Sequence, residues 1–421
     1  MYRNCQNAVI VFILAMEAVS GAFFHNIAFS SDELSAAEYH RRTDLPCVIA
    51  KYGPFSGVFV VDTGATLSAA YGTARFRESP DPEWQFREID VVFSIGSGQV
   101  SVIENIAIAA FGADAEPTRL VLLEKSDISP ASNGIDGVLG LREMRELTLH
   151  LDHRRWTTRK LESTWSPNPS AVKTTLLRRG QKDVQIPVKF GAENTRVSVD
   201  TGCRIFLLLR NSTLKFQESL GNAVPANRVT AATAVAIREA QTYILKSVTI
   251  CGFEFRDVQA QESSVNAIGM GCFSHFDMVL DFPQNEMWLT PHSDDWPKRV
   301  PPDASGLVLG YLDTNVLSLL RIQPDSAASK SELMLDDQIL LFDGKEPKDL
   351  SMFEIHQRQT QAGTVLPLRI RRGDQETDIA LPLGYSFEYP PKWSNEKNVL
   401  DEFNEFLEKD NKPSESESAG K

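Results

Sequence analysis

Cysteine is scarce, with five in 421 residues. Cys5 falls in the leading segment, and no spacing among Cys47, Cys203, Cys251 and Cys272 suggests a metal site. The four thiols could pair in more than one way, and buried free thiols are the plain alternative. There are only seven histidines. The close pair His150 and His153 would point to opposite faces of a strand, so surface positions are expected rather than shared metal ligation. Positive charge is in deficit, with 43 Lys and Arg against 56 Asp and Glu and a net charge of -13, which argues against nonspecific nucleic-acid binding. Long apolar runs are also missing. The one candidate, residues 8–15 behind Arg3, is too short to cross a bilayer comfortably. With small residues at Ser20, Gly21 and Ala22, it reads as an export signal over residues 1–22, with Glu17 an awkward fit. The expected location is periplasmic or extracellular. A retained anchor is the alternative, and the one case in which a membrane becomes a partner.

What is present is a repeat. Asp62-Thr63-Gly64 follows Val60-Val61, and Asp200-Thr201-Gly202 follows Val197-Ser198-Val199. β-Branched residues before each Asp predict a strand that delivers the carboxylate to its end. The Thr-Gly that follows allows a sharp turn. Each copy has the same downstream partner. Val138-Leu139-Gly140-Leu141 leads to an apolar strand ending at Asp152, and Ala267-Ile268-Gly269-Met270 leads to one ending at Asp281. The two stretches align without a gap, which makes the chain an internal duplication. Asp152 and Asp281 follow a strand rather than precede a Thr-Gly turn, so they read as structural.

This pattern resembles the aspartic proteases of the retropepsin and pepsin type over roughly residues 40–295. The resemblance implies a mainly β, bilobal, pseudo-twofold fold with lobe 1 at 40–160 and lobe 2 at 173–295. It implies that Asp62 and Asp200 are catalytic, with Thr63, Gly64, Thr201 and Gly202 supporting the dyad. Leu139, Gly140, Ile268 and Gly269 would form the loops behind it. The glycines Gly96 and Gly98 mark a hairpin that the family uses as a flap, an ordinary turn being an equal alternative. A second flap would fall at 229–236. The implied activity is aspartic-type endopeptidase, acting on protein or peptide substrate without cofactor or metal. Two carboxyls at hydrogen-bond range share one proton, so that one can serve as base and the other as acid. Cys203-Arg204 departs from the family, where small or hydroxyl residues are usual. An inward Arg204 would favour ionisation of both acids; the expectation is that it points away.

Hydrophobic residues make up 42% of the chain, enough for a sizeable core, and its length predicts two or three domains. Residues 72–88 read as loop and 161–172 as an interlobe linker. Residues 303–385 resemble a PDZ domain of the bacterial protease-associated kind, with a helix opening at Ser326-Ala327-Ala328, a turn at Asp343-Gly344 and a second helix at 350–361. That implies a peptide C-terminus as possible partner, although Asp336 stands where Gly is usual. Residues 386–421 form a charged tail with one short amphipathic helix near 399–407. The rival to hydrolysis is a catalytically silent peptide-binding or scaffold protein using the cleft and the PDZ groove.

Overall fold

The computed structural model describes residues 10–12 and 35–393, except 73, 79–80, 94–95, 113–115, 124–133, 179–182, 233–236, 294–295 and 312–315. The expected tail helix lies outside the described residues, as does the expected export signal apart from residues 10–12. Among the described residues, no helix is long and apolar enough to cross a membrane. The described chain is mainly β.

The first sheet contains β1 (Ile10–Phe12), β2 (Cys47–Tyr52), β3 (Phe55–Val61), β4 (Ser68–Tyr71), β5 (Gln85–Phe93), β6 (Gly96–Ala110), β7 (Glu116–Leu123) and β8 (Gly137–Leu139). Its order is β1-β5-β6-β2-β3-β8-β4-β7, and a further β6–β7 pairing closes six of the strands into a barrel. β9 (Thr148–Asp152), β10 (Thr157–Lys160) and β11 (Val172–Thr175) follow. The next sheet contains β12 (Leu177–Arg178), β13 (Val184–Phe190), β14 (Glu193–Val199), β15 (Leu207–Arg210), β16 (Ala223–Ala232), β17 (Ile237–Ile250), β18 (Phe253–Ser263) and β19 (Ala267–Ile268). Its order is β12-β13-β14-β19-β15-β18-β17-β16, and a β13–β17 pairing closes it in the same way.

The duplication seen in the sequence is therefore a duplication of topology. β3 lies parallel to β8 as β14 lies parallel to β19, and β4 lies parallel to β7 as β15 to β18. Alternation drives each barrel inward: in β13, Val184, Ile186, Val188 and Phe190 are buried while the residues between them are half-buried or exposed. The barrels join through a five-stranded sheet that adds β20 (Phe276–Asp281) and β21 (Glu286–Pro291), in the order β10-β9-β20-β21-β11. At its centre β9 and β20 run antiparallel, pairing Leu149 with Leu280 and Leu151 with Met278. All four are buried in one core that spans both barrels.

A second core belongs to the C-terminal domain. Its antiparallel strands β22 (Leu307–Tyr311), β23 (Leu317–Ile322), β24 (Gln338–Phe342), β25 (Val365–Arg372) and β26 (Gln375–Pro382) stand in sequence order. The expected first helix is a single 3-10 turn, Ala328–Lys330.

Three sequence expectations need correction. The 72–88 segment is not all loop: it holds a short helix, Ala74–Glu78, and the start of β5. Phe76 fixes that helix, since its ring is fully buried between Tyr52 and Trp84. Residues 23–40 carry few strong sequence signals and read as an N-terminal extension, yet a helix begins there: Ala36–Thr43, capped by Ser35, whose side chain accepts the Glu38 N–H. Arg41 of that helix donates to the carbonyls of Leu350 (2.6 Å) and Lys348 (2.8 Å), and the Arg42 guanidinium lies 5.1 Å from the centre of the Tyr311 ring. Third, residues 386–393 are not free tail. Trp393 Nε1 donates to Asp257 Oδ1 (2.8 Å) and the Tyr389 hydroxyl to the Asp257 carbonyl (3.2 Å), on the second barrel.

Leu280→Ala opens a cavity in the sheet that joins the barrels. It should cost about 2–5 kcal/mol, read as a lower urea midpoint at unchanged slope.

Candidate active site

Each Asp-Thr-Gly begins where a barrel strand ends. β3 ends at Val61 and β14 at Val199. The Asp62 N–H donates to the Leu139 carbonyl (3.0 Å), and the Asp200 N–H donates to that of Ile268 (2.9 Å). The short strands β8 and β19 thus anchor the two acids in the same way. Gly140 and Gly269 follow as the N-caps of one-turn helices at Leu141–Met144 and Met270–Phe273. Leu139, Gly140, Ile268 and Gly269 thus sit on the two segments whose carbonyls hold the Asp62 and Asp200 amides.

The threonines tie the two barrels together. Thr63 Oγ1 donates to the Val199 carbonyl (2.6 Å) and accepts the Thr201 N–H (3.2 Å). Thr201 Oγ1 donates to the Val61 carbonyl (2.6 Å) and accepts the Thr63 N–H (3.0 Å). The exchange is reciprocal: each threonine gives its hydroxyl to the other barrel and takes an amide from it. The glycines complete it. A Cβ on Gly64 would stand 2.7 Å from Asp200 Oδ1, and one on Gly202 would collide with the Asp62 carboxyl. Each barrel's turn therefore passes directly over the other barrel's acid, with room for a hydrogen and nothing larger.

Asp62 and Asp200 lie side by side with no solvent-exposed surface. Burial pushes both carboxyls up, Asp62 to about 7; Asp200 goes well above the usual carboxylate range because the charge of Asp62 adds to its burial. The environments differ. Asp62 Oδ1 accepts the N–H of Gly64 (2.7 Å) and of Ala65 (3.2 Å), whereas Asp200 Oδ1 accepts that of Gly202 (3.1 Å). Two amide donors favour charge on Asp62, and a shared proton resides on Asp200. Among the described residues, the second oxygens, Asp62 Oδ2 and Asp200 Oδ2, have no hydrogen-bond partner. Two carboxyls can share a hydrogen bond only with a proton between them.

Sequence reasoning missed the support of the first loop. Ser68 accepts the Gly140 N–H (3.0 Å) and donates to Glu143, which also accepts from Thr118 (2.9 Å). Only the acid between the buried Leu141 and Met144 hinted at this. Arg204 lines a cavity beside the C-terminal domain. Gly96 to Gly98 open β6, and Val91 to Phe93 pair with them; the tip at 94–95 is outside the described residues. Of the second expected flap, residues 229–232 end β16 and 233–236 are outside the description. Cys47, Cys203, Cys251 and Cys272 are buried free thiols.

His153 is not a surface residue. It is buried, with Nε2 2.7 Å from Asp44 Oδ1 and Nδ1 3.0 Å from His40 Nε2. His150, Asp152 and Asp277 bring ligand atoms within 4.8 Å of one another. Arginines already meet that group: Arg154 pairs with Asp277, Arg155 approaches Asp152 (3.6 Å), and Arg159 Nε donates to His150 Nδ1 (3.3 Å). Asp152 caps its turn by accepting the Arg154 and Arg155 N–H groups, and Asp281 accepts that of Gln284, both structural tasks. No family model and no curated protein matches the chain.

Thr201→Val keeps the shape but strands the Thr63 N–H and the Val61 carbonyl. Each costs about 1–3 kcal/mol in chemical unfolding, and Thr201→Ser should recover most of the loss. The dyad also makes stability depend on pH. Both acids have folded-state pKa values above those of the unfolded chain, so their contribution is complete below about pH 4 and is lost as pH rises through about 7 and beyond. Relative to a variant carrying Asp62→Asn and Asp200→Asn, the wild type should lose stability across that window, on the order of a few kcal/mol in urea unfolding.

Proposed function

We propose that the protein is an exported aspartic endopeptidase, and that its two barrels form the bilobal fold of that class. The carrying observation is the pair of buried acids held together by reciprocal threonine hydrogen bonds. Asp62, the better solvated by amides, acts as base on a water held between the second oxygens of the pair. As that water attacks the scissile carbonyl, its proton passes to Asp62, and Asp200 donates its own to the carbonyl oxygen. The tetrahedral diol then collapses, the C–N bond breaks, and the leaving nitrogen takes a proton from the pair. The substrate is a protein or peptide chain. Entry requires movement of whatever covers the dyad, since neither acid is in contact with solvent.

The C-terminal domain is proposed to be of the PDZ kind. Supporting this are its helix, Met352–Gln359, opened by a Ser351/Glu354 capping box, and its turn at Asp343 and Gly344, both in the left-handed region. A peptide-binding protein with no catalysis is the second reading, and the sealed dyad favours it.

Cleavage of an unfolded protein separates the two. Asp62→Asn should reduce turnover by several orders of magnitude with binding retained; equal turnover in both proteins removes the hydrolase reading. Activity needs one proton on the pair, so it should rise with pH through about 7, the region where Asp62 ionises in this closed state, and fall once Asp200 ionises as well. A profile of kcat/KM against pH with its optimum below about pH 4 contradicts this assignment of base and acid.

A further inference from the structure

A cavity of about 340 Å³ lies between the second barrel and the C-terminal domain. That volume is in the range that holds a small ligand. The strand β22 beside it is closed to an added chain at Leu307. The Leu307 N–H donates to Ser305 Oγ (3.0 Å), and the Leu307 carbonyl accepts from Gln359 Nε2 (2.9 Å). Recognition therefore falls to side chains. The apolar wall comes from both sides, Ile205 and Phe206 from the barrel and Leu307, Val308 and Phe353 from the domain.

Most of the charge in the lining is spent. Asp44 Oδ1 is held by His153 (2.7 Å), and Asp303 accepts the N–H groups of Ser305 (2.7 Å) and Gly306 (3.1 Å). Of the two lining arginines, Arg299 is paired with Asp257 (2.6 Å). Arg204 is not. Among the described residues its side chain makes no ion pair or hydrogen bond, and its Nε is buried. Ser274 repeats the pattern: it lines the same cavity, is 1% exposed, and its hydroxyl has no partner among the described residues. Buried donors without acceptors are costly unless a ligand supplies one.

The two donors stand on segments that touch. Ser274 is the C-cap of the Met270–Phe273 helix, whose Met270 N–H donates to the Cys203 carbonyl (2.6 Å). A Cβ on Gly271 would come within 2.6 Å of the Arg204 carbonyl oxygen. The acceptor they call for carries a single negative charge. Asp44 and Asp303 would repel a second, and His275, lowered to about 4 by burial, adds no positive charge near pH 7. The guanidinium fork matches a carboxylate.

We infer that the cavity is a binding site for a small monocarboxylic acid with an apolar body, its carboxylate on Arg204 and Ser274 and its body against Phe206, Leu307 and Phe353. Both polar contacts come from the barrel, and the C-terminal domain supplies apolar wall, so the site exists only where the two meet. It stands whether or not the dyad hydrolyses anything.

The test uses the full chain and titration calorimetry at neutral pH, with octanoate as the probe and octanamide as its uncharged counterpart. Octanoate is expected to bind at least about tenfold tighter, the factor that a charged hydrogen bond commands. Acetate should bind far more weakly than octanoate, since it leaves the apolar wall uncovered. Arg204→Met should erase the ratio of acid to amide by weakening the acid alone, and Arg204→Lys should restore part of it. Ser274→Ala should weaken octanoate by about fivefold or more. The wild-type comparison of acid, amide and acetate decides the point even where a substitution prevents folding. Equal binding of acid and amide, equal binding of octanoate and acetate, no binding of octanoate, or a ratio that survives Arg204→Met overturns the assignment. Tighter binding of octyl phosphate, or displacement of octanoate by an apolar pentapeptide acid at equal affinity, gives the cavity a different class of ligand and overturns it as well.

Discussion

Two threonine hydroxyls, each reaching across to the other barrel, are the constraint on which the rest of the centre depends. Each hydroxyl donates to a carbonyl that ends a strand and accepts an amide from its opposite number, so neither barrel can rotate without breaking all four bonds. Both threonines are buried, so these are strong contacts, and losing one strands a buried group. The acids follow from them. Once the two turns are clamped, Asp62 and Asp200 have nowhere to sit except against each other, and electrostatics then makes them titrate as a pair.

The barrels are alike in topology and unlike in surroundings, and the difference is chemical. Asp62 receives two amides where Asp200 receives one, because the turn after Gly64 brings the Ala65 N–H within 3.2 Å of Asp62 Oδ1. A symmetric scaffold thereby holds an asymmetric proton. The first loop is also braced by Ser68 and Glu143, a support that the second lacks at the matching positions, Leu207 and Cys272.

The C-terminal domain has its own core but is tied to the barrels at both ends. The Ala36–Thr43 helix presents Arg41 to the Lys348 and Leu350 carbonyls, and the last described residues bring Tyr389 and Trp393 to Asp257. Phe353 packs edge-on to both His153 and His275, which places the domain against the sheet that joins the barrels. The cavity beside Arg204 is a product of this docking, since its walls come from both sides.

Local pattern by itself determined the strands, the two turns and their repeat. Alternation of apolar residues in Val184–Phe190, the β-branched run before each Asp, and the aligned Gly140 and Gly269 segments are short-range facts that a chain carries wherever it folds. Only the tertiary structure decided which residues answer them from a distance. His153 is buried because Asp44 and His40, 109 and 113 residues earlier, close over it. The helix before residue 44 matters because Arg41 finds carbonyls 307 and 309 residues away. Arg204 lines a cavity whose other walls come from the C-terminal domain, more than 100 residues further along the chain. Such contacts leave no period in the sequence, since the spacing of partners along the chain says nothing about their meeting until sheets and domains have been assembled around them.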